Sequence, residues 1–453
     1  GTIWLVNENG ILFGPTGSVT NMTGFVASTL GVTNAQFANF GTANAVDFVG
    51  STNNQGDPNA NGLIRIGAGN GGNAGTNIAV SGVLLMVAPR IEVQNGAALA
   101  NRPTITAGGD IGFVVAQDAS VRLNPTSLIS VGITAGTTVG NTSLLLGGTV
   151  NGARVFATVA SQQDVNDILL NVTGSITATH ATATENGIVL SAGTAVDDGS
   201  FAVTMPDAGD QEQRNLAVAA GATLATTGAS DIRIAGNGGL DLLGAAISGD
   251  DLLVSARSVA LGGATQAAAR GIVINATDGN ISTNGGILRS NNGDVPFVGG
   301  ALRDISLIAS GNIGTAATPI TLITGGAGPT RDNVTLNAGD AGTIAIGAIT
   351  ARNLNIIPPA GNITLGNVTL SGEFQFFGGN DLTIASLTAS GAVTLQVGGD
   401  LEINGINGGS TVSLRGDNVT VTDADSLTVT NAIATAGSVS LSATGALSLT
   451  GTA

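Results

Sequence analysis

Three consecutive stretches decide the reading of this chain: IAIGAITARNLNIIPPAGN at 344–362, ITLGNVTLSGEFQFFGGND at 363–381 and LTIASLTASGAVTLQVGGD at 382–400. Ile344, Ile363, Leu382 and Leu401 stand nineteen residues apart, as do Ile349, Val368, Leu387 and Ile406. A third column, Val334, Leu354, Phe374, Val393 and Val412, runs at nineteen or twenty. A fixed period of this size is the signature of a solenoid. Within each lap the columns sit in apolar–polar–apolar triplets such as ITL, FQF and VTL, and alternation of period two means strand. Gly, Asn and Asp separate the triplets and supply corner conformations. Short strands, corners and a lap of nineteen or twenty residues predict an all-β, right-handed parallel β-helix, the hand following from the preference for right-handed connections between parallel strands. A single lap buries too little apolar surface to offset its ordering entropy, so stability must come from stacking.

Composition agrees. Of 453 residues 70 are Gly and 3% are aromatic, while Tyr and Cys are absent, and all 14 basic residues are Arg. A narrow bore lined by Val, Ile, Leu and Ala fits these numbers. The formal net charge of −16 argues against nucleic acid or an anionic membrane as partner, since both recruit basic patches. Without cysteine there is neither a disulfide framework nor thiol chemistry. No apolar run is long enough to span a membrane as a helix; VLLMVA at 83–88 reads as a buried strand.

Three regions are expected. Residues 1–135 form a distinctive N-terminal domain, in which 41–75 is rich in Gly, Asn and Asp and reads as loops. Residues 136–230 are irregular coils with polar excursions such as ATHATATEN at 178–186 and MPDAGDQEQRN at 205–215, one of them a candidate short helix. Residues 231–453 are regular coils. The chain opens inside a strand and closes on VSLSATGALSLTGTA at 439–453, still in coil grammar, so a segment of a longer β-helix is expected at both ends.

The block WLVNENGILFGPTGSVTNMTGFVAST at 4–29 carries the functional signal. Asn7, Asn9, Gly10 and Ile11, then Phe13 and Gly14, then Ala27, Ser28 and Thr29, resemble the haemagglutination-activity (secretion) domain of the filamentous haemagglutinin family, with Glu8 where that family usually has Pro. SGVLLMVAPRIEV at 81–93 and GGDIGFVVA at 108–116 resemble later coils of the same domain. The resemblance covers residues 1–125. It implies two-partner secretion: a dedicated outer-membrane transporter engages this domain through periplasmic modules that accept strands by augmentation. It also implies a passenger that folds outside a Gram-negative cell and stays at its surface or is secreted, with Asn7, Asn9 and Gly10 shaping one turn. Two roles are then expected. One is an adhesin with a β-helical stalk, contacting a glycan or protein on a host or neighbouring cell. The other is a structural subunit that self-assembles into a filament or matrix.

Catalysis is not expected. A polysaccharide-active β-helix needs clustered acids on neighbouring coils. The acids available, Asp197 with Asp198, Asp250 with Asp251, and Asp207, Asp210 and Glu212, sit in turn-like contexts, and the single histidine, His180, reads as an exposed loop residue. No cofactor or metal is expected. Segments 236–244, 378–384 and 398–403 are isolated, incomplete versions of a calcium-binding nonapeptide. Nor is a flat ice-binding face expected, because Glu402 interrupts the outward column of Thr364, Thr383 and Thr420.

Overall fold

A computed structural model describes the chain apart from residues 39–44, 51–61, 71–72, 125–126, 140–141, 163–167, 181–184, 198, 206–214, 291–303, 326–332, 409–410, 424–426 and 452–453. The fold is a parallel β-helix. Two compact units divide it, Gly1–Arg257 and Ser258–Ala453.

In the first unit each lap visits three parallel sheets. The first sheet runs through Thr2–Val6, Gly24–Ser28, Leu84–Ala88, Ile111–Val115, Val155–Val159, Asn186–Ala192, Asp231–Gly236 and Leu252–Ala256. Phe25, Leu84, Ile111, Val155, Ile188, Ile232 and Leu252 stand side by side in it. These partners define five unequal laps up to Ile232 and a sixth, the shortest, from Ile232 to Leu252; the first, from Phe25 to Leu84, is the longest. The spine is regular although the spacing is not, because the extra residues leave between strands.

Three of those departures meet again. Ala45–Val49 from the first lap, Asp118–Leu123 and Leu128–Ala135 from the third (Ile111 to Val155), and Val196–Asp197 and Ala202–Thr204 from the fifth (Ile188 to Ile232) form a separate five-stranded sheet. Its strands pair antiparallel except for Leu128–Ala135 with Ala202–Thr204, which is parallel. This sheet covers the outer side of the first sheet. Val46, Phe48, Val121, Val131, Ile133 and Val203 pack with Val26, Leu85, Val87, Val114, Phe156 and Val189 in one buried cluster. The runs LLMVA, IGFVV and VFATV are therefore buried at every position, as expected of strands covered on both faces. Gly112 sits in the outward column between Leu85 and Phe156, and a Cβ there would lie 2.8 Å from a Leu128 methyl. Its missing side chain lets the covering sheet close down.

Arg154 fastens the cover. Its Nη2 donates to Asp110 Oδ2 at 2.6 Å and to the Leu128 carbonyl at 3.0 Å, and its Nη1 to Ser200 Oγ at 3.1 Å. Asp110 also accepts the Leu128 N–H at 2.8 Å. Both charged side chains are buried. The guanidinium lies 5.1 Å from the Phe156 ring centroid, and that ring stacks on Phe201 at 3.8 Å.

In the second unit the laps from Ile272 to Ile305 and from Ile305 to Val334 are longer than the sequence period, so the coils expected to be regular from 231 become so only from Val334 onward. Ile344, Ile363, Leu382, Leu401, Val419 and Val439 are register partners in turn. Triplet ends point inward and centres outward, so Leu365 is buried while Thr364 is exposed. One corner is stitched by side chains. Asn280 Oδ1 accepts the Asn312 N–H, Asn312 Oδ1 the Thr343 N–H, and Asp381 Oδ1 the Asp400 N–H, while Asn362 donates to Asp381 and Asn418 to Asp400. Backbone amides at the lap start would otherwise lack an in-plane acceptor.

Several expectations change. Residues 41–75 are not only loops: Ala45–Val49 belongs to the covering sheet and Leu63–Ile66 to the spine. Among the described residues of 136–230 there is no helix; the α-helix described is Asn34–Ala38, in the N-terminal region, where none was expected. It is opened by a local cap, Thr33 Oγ1 accepting the Gln36 N–H. The segment 206–214 and residues 181–184 lie outside the described residues.

Leu365→Ala should cost about 2–5 kcal/mol, the range for a buried large-to-small change, and Thr364→Ala within about 0.5 kcal/mol. Denaturant unfolding of the full chain followed by circular dichroism checks both, and equal costs would contradict the inward–outward assignment.

Candidate functional site

The residues singled out at the N-terminus occupy the first strands of the first unit. Asn7 closes a turn in two ways: its Nδ2 donates to the Gly10 carbonyl at 2.8 Å, and its Oδ1 accepts the Asn9 N–H at 3.2 Å. The Gly10 N–H donates to the Asn7 carbonyl at 3.1 Å. Gly10 has φ +114°, and a Cβ would sit 3.3 Å from the Leu63 carbonyl oxygen. The positive φ favours glycine, and the Leu63 carbonyl leaves an added side chain little room. The Asn9 side chain is exposed, and the turn uses only its backbone.

The Asn7 N–H donates to the Ser28 carbonyl at 3.0 Å, which joins this turn to the Ala27–Thr29 element one lap on. That element is buried, so its polar groups need partners. Ser28 Oγ accepts the Leu30 N–H and donates to the Leu30 carbonyl, and Thr29 Oγ1 donates to the Gly62 carbonyl at 3.0 Å. Ala27 faces inward in register with Met86. Glu8 points toward the exit of the same strand, where a Cβ on Gly31 would lie 2.9 Å from its Oε1.

After the turn, Ile11–Phe13 forms the first strand of the second sheet, with Ile11 beside Ile64 and Phe13 beside Ile66. Phe13 meets Phe25 edge-on at 6.0 Å. The Gly14 carbonyl accepts Thr76 Oγ1 at 2.7 Å. Gly14 itself has no positive φ, and a Cβ added there would have no atom within 4 Å, so nothing in this fold requires glycine at that position. Next to Phe13, Leu12 is 72% exposed. Its outward column continues through Arg65 and Glu92, where one carboxylate receives Arg65 Nε at 2.7 Å and Arg90 Nη2 at 2.6 Å. In Thr2–Val6, Ile3 and Leu5 stand in register with the inward-facing Phe25 and Ala27, and Trp4 stacks on Phe48 of the covering sheet at 6.0 Å. An outward-facing leucine thus stands beside a rigid Asx-type turn.

The acids elsewhere form corner bonds. The Asp251 N–H donates to Asp231 Oδ1 at 2.9 Å, and the Asp251 carbonyl accepts from Ile232 N and Ser248 Oγ. The Asp197 carboxylate accepts the Gly199 N–H at 2.8 Å, as an ordinary turn acid does. Asp198, Asp207, Asp210 and Glu212 lie outside the described residues. His180 is half-buried, with Nε2 2.7 Å from Glu185 Oε2, so it is a paired residue and not the exposed loop side chain expected. Among the described residues no group of three or more His, Cys, Asp or Glu is placed to hold a metal ion. Asp381 and Asp400, from two of the calcium-like segments, are members of the corner ladder. Thr364, Thr383, Glu402 and Thr420 do form one register column.

No protein-family model, curated protein or solved structure matches this chain.

Arg154, Asp110 and Phe201 do not stand out in the sequence. The signal available is indirect: runs such as IGFVV are apolar at both parities, which requires a second layer outside the coil.

Gly10→Ala should destabilise by about 1–3 kcal/mol because an L side chain must take a sparsely populated conformation, whereas Gly14→Ala should stay within about 0.5 kcal/mol. Thermal unfolding of the two variants checks this; a destabilised Gly14→Ala would mean that the Gly14 site is tighter than described.

Proposed function

We propose that this chain is the secretion domain and stalk of a surface-exposed filamentous adhesin, exported from a Gram-negative bacterium by two-partner secretion in the manner of the filamentous haemagglutinin family. The observation that carries the reading is the rigid Asn7–Gly10 turn, bonded to Ser28 and flanked by displayed side chains. A transporter module that accepts strands needs a fixed feature to set register and side chains within its reach. The Asn7 turn supplies the first. Asn9 and Leu12 supply the second, because both are displayed outward and do little for the fold.

Beyond this block the outward positions suit a stalk. Hydroxyl and amide side chains repeat lap after lap, as in Thr350, Thr369, Thr388 and Asn407 or Gln375, Thr394, Ser413 and Asn431. Such a surface is well solvated without high charge. It is equally suited to lateral assembly, which is the second reading: a structural subunit of an extracellular filament or matrix, built from copies of this chain. Electron microscopy of the producing cells, labelled with an antibody against residues 258–453, separates the two. Single fibres rooted at the outer membrane support the adhesin, and label along long regular filaments supports the assembly.

Asn9→Ala should leave unfolding unchanged while lowering transporter binding roughly tenfold, as expected when one interfacial contact worth about 1.4 kcal/mol is removed. Secretion assayed with the cognate transporter, next to thermal unfolding of the purified chain, gives both numbers. Normal export of Asn9→Ala together with Leu12→Ser would remove these two positions from the recognition surface.

A further inference from the structure

The covering sheet changes how the first unit must fold. In a plain solenoid each lap touches only its neighbours, and stability is a sum of nearest-neighbour terms. Here the strand Ala45–Val49 pairs with Asp118–Leu123, which pairs with Leu128–Ala135, which pairs with Ala202–Thr204. One sheet thus draws on the first, third and fifth laps of the spine. Among the described residues, the second lap, from Leu84 to Ile111, and the fourth, from Val155 to Ile188, contribute no strand to it.

Arg154 stands at the crossing point. It belongs to the spine immediately before Val155–Val159, and its partners come from both directions: Asp110 and Leu128 from earlier in the chain, Ser200 from later. Phe156 beside it is covered by Phe201. Until residues 200–204 arrive, the guanidinium lacks Ser200, the Phe156 ring lacks Phe201, and Leu128–Ala135 lacks its parallel partner. An apolar outward column would then face water, and a buried ion pair would be only part-satisfied.

We infer that the laps between Gly24 and Gly236 form one cooperative block, closed last by residues 200–204 and locked by Arg154, whereas the laps of the second unit are gained and lost lap by lap. The block is a conformational device of the fold. Opening at Phe201 is transmitted through the five-stranded sheet to Ala45–Val49, although the strands Asp118–Leu123 and Leu128–Ala135 lie between.

The test is native-state hydrogen exchange of the full chain, read by mass spectrometry, for the natural sequence, for Arg154→Met and for the milder Phe201→Leu. Arg154→Met keeps much of the stem but leaves Asp110 buried without its cation; if that variant does not fold, Phe201→Leu decides. The expected result is that peptides over 45–49, 118–135 and 202–204 speed up together, by a common factor of roughly tenfold or more, while peptides over 344–421 are unchanged. In the natural sequence those three segments should share one opening free energy and one denaturant dependence, and the laps of the second unit should show a graded series. Faster exchange confined to 128–135 and 196–204, with 45–49 as slow as before, would overturn the inference. So would unequal opening free energies for the three segments in the natural sequence.

Discussion

In a parallel β-helix the backbone hydrogen bonds run along the stack, so every strand depends on the lap before and the lap after for its amides and carbonyls. That one constraint explains what is free to vary here and what is not. Strand residues are held in register: Ile344 to Ile363 to Leu382 to Leu401, or Leu84 to Ile111 to Val155 to Ile188. The connections between strands are not held. The long lap from Phe25 to Leu84 and the short one from Ile232 to Leu252 therefore sit in the same sheet. Insertions leave at corners, where the backbone already needs side-chain help, and the Asn and Asp ladder of the second unit supplies that help from lap to lap.

Insertions on a solenoid are usually surface decoration. Those of the first unit have become structural because they share a second core. The sheet they form buries the outward side of the spine strands, and the spine strands have accepted apolar residues at both parities in return. Where the cover ends the pattern reverts: in the outward column Val189 is followed by Arg233, and Leu252–Ala256 alternates buried and less buried positions. A buried Arg154–Asp110 pair inside this second core adds little net stability by itself. What it adds is geometry, because the planar guanidinium is satisfied only when three separate segments are correctly placed.

How far the sequence can be read follows from the same physics. The second unit is legible from Val334 onward because its laps there are of nearly constant length, so apolar columns line up in the linear text; the longer laps from Ile272 to Ile305 and from Ile305 to Val334 break that alignment. The spine of the first unit is legible only as strands, not as a stack, since unequal laps such as Ile111 to Val155 and Val155 to Ile188 hide the register that the fold restores. The five-stranded sheet is not legible: Ala45–Val49 and Ala202–Thr204 are short, lie in polar surroundings and belong together only through partners remote in sequence. Near the N-terminus the text carries more. The Asn7–Gly10 turn has a local cause, a side chain bonded to its own backbone two and three residues on, and local causes survive in sequence. The burial of Ser28 and Thr29 has distant causes, since the strand Gly24–Ser28 pairs with Leu84–Ala88 and Thr29 bonds Gly62, and it cannot be read from their neighbours.

The N-terminal block holds two kinds of residue side by side. Gly10, Asn7, Ser28 and Thr29 are fixed by bonds and conformations that the fold demands. Gly14, Asn9 and Leu12 are not: a Cβ at Gly14 meets open space, Asn9 lends only its backbone, and Leu12 presents an apolar side chain to water. Exposing a leucine works against solubility, and a glycine outside the left-handed region adds needless entropy to the unfolded chain. In this block they flank the Asn7–Gly10 turn, which places display and a fixed backbone within the same short stretch, and the proposed transporter contact rests on that juxtaposition.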